Sequence, residues 1–501
     1  MDSMEQMTKI YADDSLALHT DLYQVNMVET YWAEGISERR AVFELFFRKL
    51  PFGNGYAIFA GLERVIEYVQ GFGFTASDLA YLKDELGYEE DYLDYLGKLR
   101  FNGTITAMRE GELVFGNEAI LRVEGTLAEA QLIETALLNI VNYQTLIATK
   151  ASRIRNVVGE DAPLLEFGTR RAQEMDAALW GSRAAIIGGC DATSNVRCGK
   201  RFGAKVSGTH AHAMVQAMLD EYEAFLRYAK RQKQMNRKCV FLIDTYDTLK
   251  SGIHNAIRVV KELGIKDLFE GVRLDSGDLA YLSKEVRKLL DKAGFKQTRI
   301  YASNDLDEYT ILNLKAQGAV IDAWGIGTKL ITAYDQPALG AVYKIVAIED
   351  ETGNMVDTIK ISGNPEKVTT PGMKKLYRII NLANHRSEGD YIALEEEKPQ
   401  EEGRLKMFHP VYTYISKFVT NYEARELHAD IFANGKLVYE LPRLYEVQAF
   451  AKANLELLWD EYKRNQNPEA YPVDLSQRCW DNKMNLIHAM KEKAEGVAKQ
   501  T

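Results

Sequence analysis

The sequence predicts an α/β fold: an irregular α/β barrel, preceded by an α+β segment and followed by a return to β structure. Three observations lead there. From about residue 160, short apolar runs alternate with amphipathic helical stretches. The last four strand starts, near 239, 271, 298 and 321, recur at a spacing that suits repeated βα units. On either side the pattern is mixed, with no low-complexity linker to cut the chain. Eight strands are not countable, so the barrel is read as irregular, and a doubly wound open sheet is the alternative.

The elements follow in order. Residues 1–150 read as an N-terminal α+β domain, with the helical stretch "GLERVIEYVQGFG" and the β-rich runs "RAVFELFFRKL" and "ELVFGNEAILRVEG". Residues 151–340 carry the barrel. Its strands are "PLLEFG", "AKVSGT", "CVFLIDTY", "GVRLDSGD", "TRIYASND" and "DAWGIGT". Its helices are "AHAMVQAMLDEYEAFLRYAKRQ", "TLKSGIHNAIRVVKELG", "LAYLSKEVRKLLDKAG" and "LDEYTILNLKAQG". Residues 341–501 return to the α+β domain through the hairpin-like "AVYKIVAIEDETGN" and an acidic surface segment, "LEEEKPQEEGR". They end in two helices, from about 443 and through "WDNKMNLIHAMKEKAEG".

Composition bounds the function. The 501 residues are 46% hydrophobic and 27% charged, ordinary for a globular chain. A net charge of −10 argues against a nucleic-acid surface but leaves room for a local basic pocket. The four cysteines form no CxxC pair, which fits a reducing compartment and disfavours a structural zinc cluster. The first residues, "MDSMEQMTKIYADDSLALHTDLYQ", are acidic and lack a signal-type apolar core, and no window suits a membrane span. The expectation is a cytoplasmic protein acting on small molecules.

In such folds ligands bind at the carboxyl ends of the strands. Those ends read Glu166-Phe167-Gly168-Thr169-Arg170-Arg171, Gly208-Thr209-His210-Ala211-His212, Asp244-Thr245-Tyr246-Asp247, Arg273-Leu274-Asp275-Ser276-Gly277-Asp278, Ser303-Asn304-Asp305 and Gly325-Ile326-Gly327-Thr328. One such cluster is ordinary helix capping; six in succession point to a shared rim. Gly327 and Thr328 offer backbone N–H groups and a hydroxyl to a phosphate. Asp244 and Asp275 suit ribose hydroxyls or a magnesium ion. Arg170 and Arg273 suit a carboxylate or phosphate. Of eight histidines only His210 and His212 lie together. They miss the i, i+4 spacing of a helical zinc pair. Packing or capping, and a reactive imidazole near phosphates, both remain open.

These residues resemble the nicotinate phosphoribosyltransferase family. "LHTDLYQVNM", "EFGTRRAQ", "GGCDATSN", "GTHAH", "RLDSGD", "SNDLDE", "GIGT" and "NPEKVTTPGMKKLYR" stand in the family's order across most of the chain. The resemblance implies an irregular, type II phosphoribosyltransferase-like α/β barrel with an α+β domain built from the N- and C-terminal segments. It also implies transfer of phosphoribose from 5-phosphoribosyl 1-diphosphate to nicotinate, giving nicotinate mononucleotide and diphosphate for NAD salvage. Magnesium is implied as cofactor and ATP as co-substrate of a ligase-type reaction, in a homodimer with shared sites. It makes His212 the phosphorylated and catalytic histidine, joined in catalysis by Asp275, and leaves His210 lining the pocket. Tyr23, in a loop-like entry segment, and Phe167 would sandwich the pyridine ring, Tyr23 reaching the neighbour's site. Arg273 and Thr209, with Arg170 close by, would meet nicotinate; Gly327 and Thr328 would cradle the 5′-phosphate; Ser303 and Asn304 complete the substrate-binding set. The alternatives are a nicotinamide phosphoribosyltransferase and a non-catalytic binder of phosphorylated metabolites. The cation-rich stretch from Lys360 to Arg378 reads either as a diphosphate site or as packing.

Overall fold

The computed structural model describes residues 16–498, so the acidic start of the chain, residues 1–15, lies outside the described residues. The chain divides into two compact units, residues 1–145 with 338–442 and 450–501, and residues 146–337 with 443–449.

In the first unit, N- and C-terminal segments share one seven-stranded sheet. The Arg40–Phe46 strand pairs antiparallel with Leu121–Thr126 on one side and with Val342–Glu349 on the other. The "AVYKIVAIEDETGN" run forms the expected hairpin, Val342–Glu349 returning as Met355–Asp357. A second, four-stranded sheet holds Lys374–Asn381, Ser387–Leu394, Tyr422–Glu426 and Val473–Leu475. Tyr23 lies not in a loop but in the first turn of the Leu22–Ala33 helix, half exposed. Among the described residues no helix is long and apolar enough to cross a membrane.

The second unit is built on a six-stranded sheet. Its strands are β1 (Leu164–Glu166), β2 (Ala192–Thr193), β3 (Cys239–Leu242), β4 (Phe269–Leu274), β5 (Arg299–Ala302) and β6 (Ala323–Ile326). β3 and β6 are buried at every position, as short apolar runs in parallel sheets are when both faces are covered. All pairings are parallel, in the order β2-β1-β6-β5-β4-β3. Every strand therefore neighbours its successor except β2 and β3, and the first strand pairs with the last. That is the cyclic order of a barrel opened at one seam, which no doubly wound sheet has.

Three local expectations change. The "AKVSGT" run makes a single bridge, Val206 to Thr193, rather than a strand, and the two-residue β2 in "GGCDATSN" takes the place beside β1. The helix expected over "AHAMVQAMLDEYEAFLRYAKRQ" breaks in two, His212–Ala217 and Glu221–Gln234, because Leu219 sits at φ 60° and Asp220 caps the second helix. Ahead of the Ile253–Leu263 helix comes a π-turn, Thr248–Gly252. There a Cβ on Gly252 would stand 1.9 Å from the Ile243 carbonyl, so glycine is required by the close approach.

Buried charges account for two residues of the cation-rich stretch, Lys374 and Arg378, while Lys360 and Lys367 are exposed. Lys374 lies 3.1 Å from Glu44 and donates to the Thr370 and Gly372 carbonyls. Arg378, fully buried in its strand, makes two hydrogen bonds to Asp390 at 2.9 and 2.7 Å and another to Glu112 at 2.5 Å. Packing is therefore the role of these two cations. Arg378→Met takes the arginine from buried Asp390 and one of two arginines from Glu112, which keeps Arg425, and is expected to lower stability by about 3–5 kcal/mol, read as an earlier urea midpoint; an unchanged midpoint would contradict the pairing.

Candidate functional site

The rim is anchored by Glu166 at the end of β1. Its wholly buried carboxylate accepts from Ser182 Oγ at 2.9 Å, Thr193 Oγ1 at 2.5 Å and the Gly168 N–H. Burial pushes its pKa up, and those three donors pull it back down. The loop they pin carries Phe167 and Arg170. Phe167 donates its N–H to the Ile326 carbonyl at 2.7 Å, and its half-buried ring covers Gly325. A Cβ there would lie 2.6 Å from the ring carbons and 3.4 Å from the Ser303 Cβ. Glycine at 325 is what lets an aromatic face lie across the end of β6.

Arg273, at the end of β4, donates from Nη1 to Thr209 Oγ1 at 2.6 Å. Its Nε is buried with no hydrogen-bond partner. Burial lowers its pKa; Asp275 and Asp244 oppose that effect, and the nearby Arg170 adds to it. With Arg170 near enough to act on it and one buried donor unused, Arg273 has the chemistry that suits an anion.

The carboxylates separate into two kinds. Asp247 and Asp278 cap helical turns, accepting from Leu249 and Lys250 and from Tyr281 respectively. Asp244 and Asp275 do not. Asp244 Oδ2 accepts from the Asp275 N–H at 2.9 Å and from Ser276 Oγ at 2.7 Å, while its Oδ1 is buried and without a partner. Asp275 Oδ1 accepts from the Ser303 hydroxyl. Capping thus accounts for part of the rim, and the rest is a linked acidic pair between β3 and β4.

His212 opens the His212–Ala217 helix, its side chain 38% exposed. Its Nδ1 is 3.1 Å from Thr245 Oγ1, and its Nε2 lies 3.9 Å from Asp244 Oδ1. Thr245 and Ser276 escaped the expected site set; the only signal for them is a hydroxyl directly after each strand-end aspartate. His210 behaves differently. It is buried, its ring is pushed down to about 4 by burial, and Nε2 accepts the Leu242 N–H at 3.1 Å.

The rim therefore brings together Arg170, Thr209, His212, Asp244, Arg273, Asp275 and Ser303, with Phe167, Gly325 and Gly327 beside them. Thr328 opens a four-residue helix, Thr328–Ile331, directly after Gly327. Asn304 is exposed at φ 130°, a conformation that costs a non-glycine residue about 1–3 kcal/mol and is typical of functional loops. With Gly277, Asp278 and Asp305 it lines a cavity of about 640 Å³. Tyr23 belongs to the other unit, where burial first, then Glu134 and Asp21, raise its pKa. For a magnesium ion, the unpartnered Asp244 Oδ1 and the adjacent Asp275 are suitable oxygen donors. Among the described residues no group of three or more His, Cys, Asp or Glu is placed to hold a metal, so such an ion would share its ligands with substrate phosphates.

The chain is similar to known proteins over nearly its whole length. The nicotinate phosphoribosyltransferase N-terminal domain model matches residues 18–142, the nicotinate phosphoribosyltransferase family model residues 163–380, and the C-terminal domain model residues 373–483. The nicotinate phosphoribosyltransferase of Bacillus subtilis is 66% identical over 485 residues, covering 97% of this chain and 98% of that one. That of Dictyostelium discoideum is 37% identical, covering 94% and 88%. The crystal structure of human nicotinic acid phosphoribosyltransferase superposes with a TM-score of 0.79 at 29% identity, covering 93% of this chain and 99% of its own. With three family models along its length and a relative at this identity, the chain belongs to the nicotinate phosphoribosyltransferase family.

Proposed function

We propose that the rim transfers the phosphoribosyl group of 5-phosphoribosyl 1-diphosphate to nicotinate, forming nicotinate mononucleotide and diphosphate in NAD salvage. The single observation that carries this is Arg273, a part-buried guanidinium held by Thr209, with Arg170 nearby and its buried Nε unused. A pyridine carboxylate answers that donor, and the Phe167 ring over Gly325 offers a face for the heterocycle. The ring nitrogen bonds to C1′ of the ribose as the C1′–O bond to diphosphate breaks. Positive charge develops at the anomeric carbon, and the Asp244–Asp275 pair supplies negative charge on that side of the rim. Gly327 and Thr328 receive the 5′-phosphate, and Ser303 and Asn304 complete the sugar site. Asp244 and Asp275 would hold a magnesium ion, which would supply positive charge to offset that of the leaving diphosphate.

Coupling to ATP belongs to the same reading. His212 attacks the γ-phosphorus, its ring nitrogen forming an N–P bond as the bond to the ADP oxygen breaks. Water later returns it as free histidine and phosphate. Thr245 at Nδ1 fixes the ring's orientation, and the partial exposure of His212 gives a nucleotide access. The working protein is a cytoplasmic homodimer in which Tyr23 completes the partner's pyridine site.

Three outcomes test this. Arg273→Ala is expected to raise the nicotinate KM about ten-fold or more, from the loss of a charge-assisted bond of roughly 1.5–3 kcal/mol, with less effect on nicotinamide. Equal losses with both pyridines would remove the carboxylate from Arg273. His212→Ala is expected to abolish both ATP stimulation and acid-labile, alkali-stable labelling from γ-labelled ATP; label that survives the substitution places the phosphoryl group elsewhere. Mixing Tyr23→Ala with His212→Ala chains is expected to restore activity at up to half the sites of mixed dimers. Without recovery after proven subunit exchange, Tyr23 serves its own chain.

A further inference from the structure

The open seam of the barrel has an occupant. On the β2 side, residues 205–207 run beside β2: Thr193 N donates to Lys205 O at 3.0 Å and Ser207 N to Thr193 O at 2.9 Å. On the other side, β3 pairs with β4 and leaves its second edge without a strand partner. An exposed or buried edge needs its N–H groups satisfied. Here the Leu242 N–H donates to His210 Nε2 at 3.1 Å, and the backbone of Val240, two residues earlier on the same edge, is a hydrogen-bond partner of the Tyr228 hydroxyl. His210 and Tyr228 meet edge to face, centroids 5.0 Å apart, and both rings pack toward Phe225 and Phe241.

We infer that His210 is a positioning residue, not a pocket lining: its neutral ring stands in for the missing strand and ties the loop bearing Thr209 and His212 to the edge of β3. The chemistry of the bond fixes the tautomer. Because Nε2 accepts a backbone N–H, the proton is on Nδ1, which faces the Ala211 carbonyl at 3.5 Å. Burial keeps the ring neutral, consistent with that acceptor role. Thr209, one residue before, holds Arg273, and His212, two residues after, meets Thr245, three residues beyond Leu242. A loop anchored at Leu242 therefore keeps register with both the anion site and the Asp244–Thr245 strand end. The consequence for catalysis rests on the transferase reading given above; the tie itself does not.

The test pairs two substitutions with two readouts. His210→Phe keeps a ring against Tyr228 and removes the acceptor; His210→Gln places an amide oxygen near the position of Nε2. In His210→Phe, amide hydrogen exchange at Leu242 is expected to rise about ten-fold or more, and the nicotinate KM to rise by a similar factor with a smaller change in kcat. His210→Gln is expected to return both to within about three-fold of the parent. Unchanged protection at Leu242 in the Phe variant overturns the tie. Lost protection with KM unchanged overturns the positioning role and leaves only a structural one. A Gln variant no better than Phe overturns the acceptor chemistry. Should His210→Phe fail to fold, the parent protein with 15N-labelled histidine decides: Nε2 is expected to resonate as an unprotonated nitrogen at about neutral pH, and a protonated Nε2 overturns the inference. Failure of nicotinate turnover in the parent would instead strike the transferase reading and leave the exchange result standing.

Discussion

Everything in the catalytic unit depends on the pairing of β1 with β6, strands about 160 residues apart in the chain, through Leu164 with Trp324, Leu165 with Gly325 and Glu166 with Ile326. Without that pairing the strands would fall into two pieces, β1 with β2 and β3 through β6. With it they form one ladder in the cyclic order of a barrel, open between β2 and β3, and the loops after β1, β3, β4, β5 and β6 share one rim. Two features at the junction make the pairing possible. Gly325 yields its side-chain space to Phe167, and Glu166 stays buried by drawing three donors, from the Gly168 backbone, from Ser182 on the Glu174–Ile187 helix and from Thr193 of β2. A carboxylate left there without donors would be costly, so its partners Ser182 and Thr193 are part of the fold rather than of the chemistry.

The rim's electrostatics follow from the same geometry. Parallel strands bring Arg273 and Asp275 of β4 beside Asp244 after β3, so cations and anions alternate over a few ångströms. The anions are pinned by backbone N–H and hydroxyl donors from the adjacent loop, Asp275 and Ser276 for Asp244 and Ser303 for Asp275. The cation is pinned by one hydroxyl and keeps a donor in reserve. Such a site is organised before any ligand arrives, which is the condition under which electrostatic stabilisation costs little reorganisation. Under the proposed transfer, selectivity for a carboxylate over an amide would arise from leaving the buried Arg273 Nε donor unused when the acid is missing.

Much of this was legible in the sequence because parallel strands buried on both faces read as unbroken apolar runs, and because the residues after them are too polar and too varied for capping alone. β3, β4, β5 and β6 begin within about two residues of the positions read from pattern. What stayed hidden was pairing. A two-residue strand such as β2 has no periodicity to detect, and "AKVSGT" looks like a strand but finds only one bridge. Arg378 and Lys374 read as a basic segment because Asp390, Glu112 and Glu44, which neutralise them, are scattered along the chain. Tyr23 read as loop because its helix carries almost no amphipathic contrast. The break at Leu219 had no signal, since a left-handed leucine follows no propensity.

The two histidines show how far residue type can go. Sequence spacing argued against zinc but left packing and reactivity open for both. The fold separates them by depth alone. His212 sits at a helix start with its ring partly in solvent and its Nδ1 on a hydroxyl, which leaves Nε2 available for chemistry. His210, two residues earlier, points the opposite way into an aromatic cluster and spends its only lone pair on a backbone N–H. Alternation along an extended segment sends neighbours at i and i+2 to the same side; the helix that starts at His212 breaks that alternation. One backbone turn therefore converts a repeated residue into two functions, an inward acceptor that completes the barrel wall and an outward imidazole that faces the rim.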